Sequence, residues 1–397
     1  MSSEMKANTA NFGEVILLTS PALVSATESI GFKTDVFESK NGTETRIPLK
    51  DKARQTLGFS SVVLRNEIAQ HFNTQWGGIR KNWAVPLFQE SQYVGDVISE
   101  TVVIDEQEVE QTSVLCRTDI FSFYDGCLAL LKNDSEQVLV EVETVESDRL
   151  FLANPININN AKLYPVRVCF INGDISRQIS SLHTQSSITF IVIDEPEVAE
   201  SVPDQFLEND LHKFCLMLDG SSLESTISQQ QSIINNEVGV IYQGTDWDFA
   251  RYSKQYRTIL RGPEQLYAYR QFLFRRRGKY RPFWLPTYEA NMRCKSTGFV
   301  SSVLLIESDQ YKQLADQRKH IAIKSNSAWT AHTITASALV SGSTVQVTVS
   351  PALNKNADSI ELISYLGLHR LDADSVDLNY QGAGLVEVSV PILEIGV

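Results

Sequence analysis

A six-residue pattern occurs twice in this chain and limits the folds open to it more than any other feature. Trp83-Ala84-Val85-Pro86-Leu87-Phe88 returns as Phe283-Trp284-Leu285-Pro286-Thr287-Tyr288, the prolines 200 positions apart (286 − 86). Each copy follows an apolar stripe at helical spacing and a basic turn. The first stripe runs from Val63 to Phe72 with Leu64, Ile68 and Phe72 at i, i+4 and i+8, ahead of Gly77-Gly78-Ile79-Arg80-Lys81. The second opens at Gly262-Pro263 and carries Leu266, Tyr269 and Leu273 at i, i+3 and i+7, ahead of Arg275-Arg276-Arg277-Gly278-Lys279. Proline at the first helical position costs nothing, because its missing N–H would have no partner there.

The β-rich segments C-terminal to each copy correspond too. Val138 to Val145 alternates, turns at Ser147-Asp148 and returns as Leu150 to Pro155. Thr333 to Leu339 alternates, turns at Ser341-Gly342 and returns as Val345 to Pro351. Alternation with a turn between runs is the hairpin signal. An apolar strand leading to an aspartate comes next in each half (Val166 to Asp174; Ile363 to Asp374). Both halves close on a strongly β segment, Ile188 to Ile193 and Val386 to Leu393.

The expected fold is mainly β with a few short helices (α+β). Two tandem, similarly built blocks are expected, each a helix-on-strands part followed by a small β-barrel or sandwich. The boundaries read as 1–95 for an N-terminal helix-on-strands domain, 96–198 for a first β-rich domain and 199–245 for a connector. A second helix-on-strands part spans 246–298, and a C-terminal β-rich domain 299–397. The connector is polar and then Ser/Gln-rich, as in a linker or short helical link. A length of 397 residues agrees with more than one core.

Charge and cysteine usage narrow the function classes. The formal net charge is −13, which argues against a protein that wraps nucleic acid. Cys116, Cys127, Cys169, Cys215 and Cys294 are odd in number and widely spaced, as expected of reduced thiols in a protein assembled in a cytoplasm. No apolar run approaches the ~20 residues of a membrane helix, so no membrane insertion is expected. Glu14 abuts Val15-Ile16-Leu17-Leu18, which reads as a first strand rather than a secretory signal.

Candidate sites are few. From Ile241 to Val300 there are twelve Lys/Arg against four Asp/Glu. Arg275, Arg276, Arg277, Lys279 and Arg281, with Arg80 and Lys81 in the first half, are therefore candidates for docking on an acidic partner surface. Competing readings are guidance of exiting DNA and a helix end whose cations complement the dipole. Trp83, Pro86, Phe88, Trp284, Pro286 and Tyr288 read as aromatic–proline packing, with sugar stacking as the alternative. The histidines form no HExxH pattern. Neither a phosphate loop nor a Gly-x-Ser-x-Gly elbow is present. Asp372 and Asp374, like Asp246-Trp247-Asp248, read as turn residues. No catalytic residue, metal or cofactor is expected.

Phe32-Lys33-Thr34-Asp35-Val36, Lys40-Asn41-Gly42-Thr43-Glu44-Thr45-Arg46 and Ala53 to Phe59 resemble the opening of tail-tip proteins of long-tailed bacteriophages. The Trp83 to Pro86, Phe283 to Pro286 and Glu141 to Pro165 passages resemble the same group. The resemblance implies a distal-tail or tail-hub-like structural protein with no catalytic residues. Such a protein joins the tail tube to the receptor-binding or central-fibre apparatus. It implies partners in copies of the chain (a trimer or hexamer ring) and in tail tube, tape-measure and hub or fibre proteins. Its location would be the virion tail tip, after assembly in the host cytoplasm. A receptor- or glycan-binding baseplate module is the alternative function, and an envelope-degrading virion enzyme a third.

Overall fold

The computed structural model describes residues 6–19, 22–64, 82–104, 107–194, 198, 202–212, 225–245, 250–307, 311–312, 318–382 and 384–396. The protein is mainly β, dominated by a large antiparallel sheet system. The only α-helix among the described residues is α1, Gly262–Arg276.

In the first half, β1 (Gly13–Leu17), β2 (Ala22–Gly31), β3 (Thr34–Glu38), β4 (Glu44–Pro48), β5 (Arg54–Leu64) and β6 (Asn82–Pro86) come first. Beyond three further strands between Gln92 and Leu115 lie β7 (Leu128–Lys132), β8 (Gln137–Val145), β9 (Arg149–Leu152), β10 (Ile158–Ile171), β11 (Ser176–Ile179) and β12 (His183–Val192). The second half holds β13 (Asn209–Leu211), β14 (Ser225–Ser228), β15 (Ser232–Ile234), β16 (Tyr242–Gly244), β17 (Arg251–Arg261) and β18 (Phe283–Pro286). Then come β19 (His320–Ser325), β20 (Ala328–Ser341), β21 (Thr344–Ser350), β22 (Ile360–Leu371), β23 (Ser375–Tyr380) and β24 (Leu385–Glu394).

The strand pairings of the two halves match in partner and direction. β5 pairs with β2 and β12, as β17 pairs with β14 and β24. β10 pairs with β6, β7 and β12, as β22 pairs with β18, β19 and β24. Among the described residues the parallel pairs are β1 with β6 and β13 with β18; they too occupy matching places. The registers agree as well. Glu28 faces Leu57 and Ser225 faces Lys254, and both separations between halves (225 − 28 and 254 − 57) are 197.

Alternating apolar residues explain these strands. β24 buries Val386, Val388, Val390 and Ile392 and turns the intervening residues outward, the two-residue period of a sheet with one covered face. β10 departs from alternation between Pro165 and Cys169, where consecutive side chains are buried, because its two faces enter different apolar clusters, Val166 and Val168 in one and Cys169 in the other.

α1 carries Pro263 and Glu264 in its first turn and Arg275 and Arg276 in its last, in line with the helix dipole. It ends at Arg277 in the left-handed conformation, whose N–H donates to the Leu273 carbonyl at 3.0 Å. Gly278 comes next at φ +66°, where a Cβ would lie 2.6 Å from an Asp374 Oδ1. Only glycine fits both that backbone and that gap.

Two expectations are corrected. The first-half stripe was expected to turn helical at Val63, but Val63 and Leu64 end β5, paired with Thr184 and His183. The rest of that stripe and its basic turn, with Ile68, His71, Phe72, Arg80 and Lys81, lie outside the described residues, as do Cys215 and Asp246-Trp247-Asp248. The described parts of 199–245 hold short strands, among them β13 to β16, and no helix, while 213–224 of the expected linker or helical link lies outside the described residues. The hairpins β8–β9 and β20–β21 form as expected.

Candidate inter-subunit surface

The halves meet through a pairing of β2 with β23, in which Ser29 faces Asp377 and Ile30 faces Val376. Ile30 and Ala53 enter the same core as Tyr256, Leu260, Tyr269 and Leu378, so apolar burial crosses the junction.

One set of buried charges lies at this junction. Arg270, from the inward face of α1, forms ion pairs with Glu28 of β2 and with Glu90, all three nearly inaccessible. Its Nε donates to Glu28 Oε1 at 3.2 Å and its Nη1 to Glu90 Oε2 at 3.0 Å. Tyr380 and Gln55 also donate to the Glu28 carboxylate, at 2.7 and 2.8 Å. Burial alone would raise the Glu28 pKa, but the Arg270 charge and these hydrogen bonds outweigh it and hold the carboxyl below its ordinary value. A buried pair of this kind contributes little net stability, yet losing one member strands the other.

A second contact is made by the β3–β4 hairpin, which reaches from the first half onto the second. Arg370 of β22 binds Glu44 through two nitrogens, at 2.8 and 3.1 Å, and Asp372 at 2.6 Å. Arg251 of β17 binds Glu38 at 2.9 Å and donates to the Gly42 carbonyl. The two-pronged geometry suits arginine, whose planar fork matches a carboxylate.

The basic segment that stands out in the sequence faces inward. Arg275 holds Asp210 at 2.5 and 2.9 Å, and Arg276 pairs with the same carboxylate, donates to the Pro282 carbonyl and is buried. Arg277 meets Asp51 of the first half at 3.4 Å. Lys279 and Arg281 are half-buried beside them, with the Lys279 N–H on Asp374.

The aromatic–proline segments are core. Trp83 and Trp284 are each 1% exposed. Trp83 packs on Phe190, and Trp284 packs on Phe206 and His320 while its Nε1–H donates to the Phe206 carbonyl at 2.6 Å. Pro86 and Pro286 end the strands that carry them, and Phe88 packs on Tyr164 and Tyr288 on Trp329.

Four buried or half-buried groups that could do chemistry elsewhere are held in inert states. Burial pulls His212 and His369 down to about 3, so both are neutral, and the His212 Nε2 sits 2.9 Å from the Tyr256 hydroxyl. Burial pushes the Cys116 thiol up to about 12 and Cys127 up to about 11, far from the thiolate a nucleophile needs. No cluster of metal-ligating side chains occurs among the described residues, and no described helix is long and apolar enough to cross a membrane. An open groove of about 400 Å³ runs past the junction, lined by Phe88, Glu90, Phe121, Pro263, Leu266 and Tyr380. Its carboxylate is already paired with Arg270.

The charge cluster at Arg270 gave little sign of itself in the sequence, since its members come from three distant segments. The one available signal is Glu28, which occupies the same inward phase of β2 as Ile30. No protein-family model matches the chain, and no curated protein matches it in sequence.

Proposed function

We propose that the chain consists of two similarly built tandem blocks, each closing its β-rich part into a small barrel or sandwich. We propose further that it acts as a structural, non-catalytic ring component of a phage tail tip or baseplate. The observation that carries this reading is the matched set of strand pairings in the two halves. A chain that repeats its own plan presents the same kind of contact surface at regular intervals, which suits ring building. The inert state of the buried histidines and thiols is in keeping with a role in scaffolding.

The ring would join the tail tube, next to the tape-measure, to the hub or receptor-binding fibre apparatus. A glycan-binding role would need aromatic faces open to solvent, whereas Trp83 and Trp284 are enclosed. The deciding experiment is an electron-microscopy reconstruction of the particle that carries this protein. A ring of copies between tube and fibres is expected. Its absence from the virion, or a single unringed copy, overturns the proposal.

A further inference from the structure

The elements that join the first half to the second have counterparts on which, among the described residues, no strand of the other half is docked. β2 pairs on one side with β5 and on the other with β23. β14, its counterpart, pairs with β17, and among the described residues no strand pairs with its other edge. β11, the counterpart of β23, likewise pairs only with β12 among the described residues. Both strands are exposed along their length, with Ile227 59% and Ile179 65% accessible. The β15–β16 hairpin repeats β3–β4 at the same separation of 197. Asp35 faces Ile47 and Ser232 faces Gly244, and 232 − 35 equals 244 − 47. β3–β4 is fastened onto the second half by arginines, whereas β15–β16 leaves Ile233, Ile234, Ile241 and Tyr242 exposed.

We propose that the occupant of these surfaces is a second copy of this chain. β14 and the β15–β16 hairpin of one copy add onto the β11 edge of the next, as β2 and β3–β4 sit on β23 within one chain. The contact is head-to-tail, the kind of contact whose repetition builds a ring when the rotation from copy to copy closes. Two exposed edges of matching polarity form a β-augmentation site, with backbone hydrogen bonds setting the register. Carrying over the pairing of Ser29 with Asp377 places Thr226 opposite Ser176 of the neighbour.

Side-chain chemistry at the matched positions is complementary. Glu44 and Arg370, an ion pair within the chain, correspond to Ile241 (241 − 44 = 197) and Phe170 (370 − 170 = 200). Both are exposed apolar side chains, at 58% and 42%, so a charge pair in one contact is replaced by an apolar pair in the other. Glu28, Tyr380 and Glu90 correspond to Ser225, Ile179 and Ala290, so docking these positions strands no carboxylate.

This inference rests on the two-block reading but not on a phage location. The test mixes full-length T226C with full-length S176C under mild oxidation. A disulfide-linked dimer that appears only in the mixture is expected; its absence overturns the proposed surface. A second measurement guards against cysteine variants that fail to fold. I241E should weaken self-association at least about tenfold, as an uncompensated charge does in an apolar interface, and I241E combined with F170R should restore it. Association unaffected by I241E, or a wild-type chain that is monomeric by native mass spectrometry at every concentration, also overturns the inference. A cross-linked ring in a protein absent from virions would sink the tail-tip role alone. A tail-tip protein lacking this cross-link would sink the surface alone.

Discussion

Replacing Arg270 by methionine isolates the energetics of the junction between the halves. Methionine fills much the same volume and keeps the helical position, but it removes the cation that Glu28 and Glu90 share. Both carboxylate side chains are almost inaccessible (1% and 3%), so water cannot take the place of the lost guanidinium. Removing one partner from a buried ionic set costs about 3–5 kcal/mol, most of it the penalty of leaving the remaining charge uncompensated. The change should appear as a lower urea midpoint at pH 7.5 with little change in slope. Acid supplies an internal control. The variant can relieve the repulsion by taking up a proton, so its deficit relative to wild type should shrink at pH 5. Adding E28Q and E90Q to R270M should recover most of the loss, because no charge is then stranded. A single variant within about 1 kcal/mol of wild type at pH 7.5 would refute the argument, since an exposed pair behaves that way.

Histidine burial gives the protein a pH dependence of known sign. His212 and His369 have folded-state values near 3, below the unfolded value, so the unfolded chain binds protons that the native one refuses. Their contribution is whole above about pH 6.5 and declines towards pH 3 at about 1.4 kcal/mol per pH unit for each group. Burial raises Asp194 and Glu394, which act in the opposite sense within the carboxylate range only. Urea midpoints that stay level from pH 7 to pH 5 would contradict this. Gly278→Ala should cost more than about 1 kcal/mol in the same assay, through both its positive φ and the approach of Asp374. Trp284→Phe should cost about 2–3 kcal/mol, from the void and the unanswered Phe206 carbonyl, without changing the far-ultraviolet circular dichroism.

Periodicity made much of the fold legible. The alternation in β8 and β24, the proline in the first turn of α1 and the repeated aromatic–proline segments all answer to local constraints that a sequence records directly, whereas β20 is largely exposed beyond Ile334 despite its alternation. β14 is Ser-Thr-Ile-Ser with all four residues exposed, so its existence depends on pairing with β17 and not on any apolar pattern of its own. Tertiary context also decided the basic segment. Arg275 and Arg276 look like a solvent-facing run until Asp210, 65 positions earlier in the chain, is brought beneath them by the pairing of β13 with β18. The same holds for Arg270, whose spacing from Leu266 puts it on the buried face of α1, while nothing local names Glu28 as its partner.

The pairing of β2 with β23 also sets the order in which the protein can mature. Thr27 bonds to Asn379 across 352 positions, so β2 acquires its second neighbour only long after it has itself left the ribosome. Until then the nascent N-terminal half displays a naked strand edge and the Glu28 carboxylate without its guanidinium. Such a half-made intermediate invites misassociation, and ends that meet this late favour slow folding. A chain truncated ahead of β23 should therefore yield insoluble product rather than a usable fragment, which makes synthesis of β23 a checkpoint before any copy can join another.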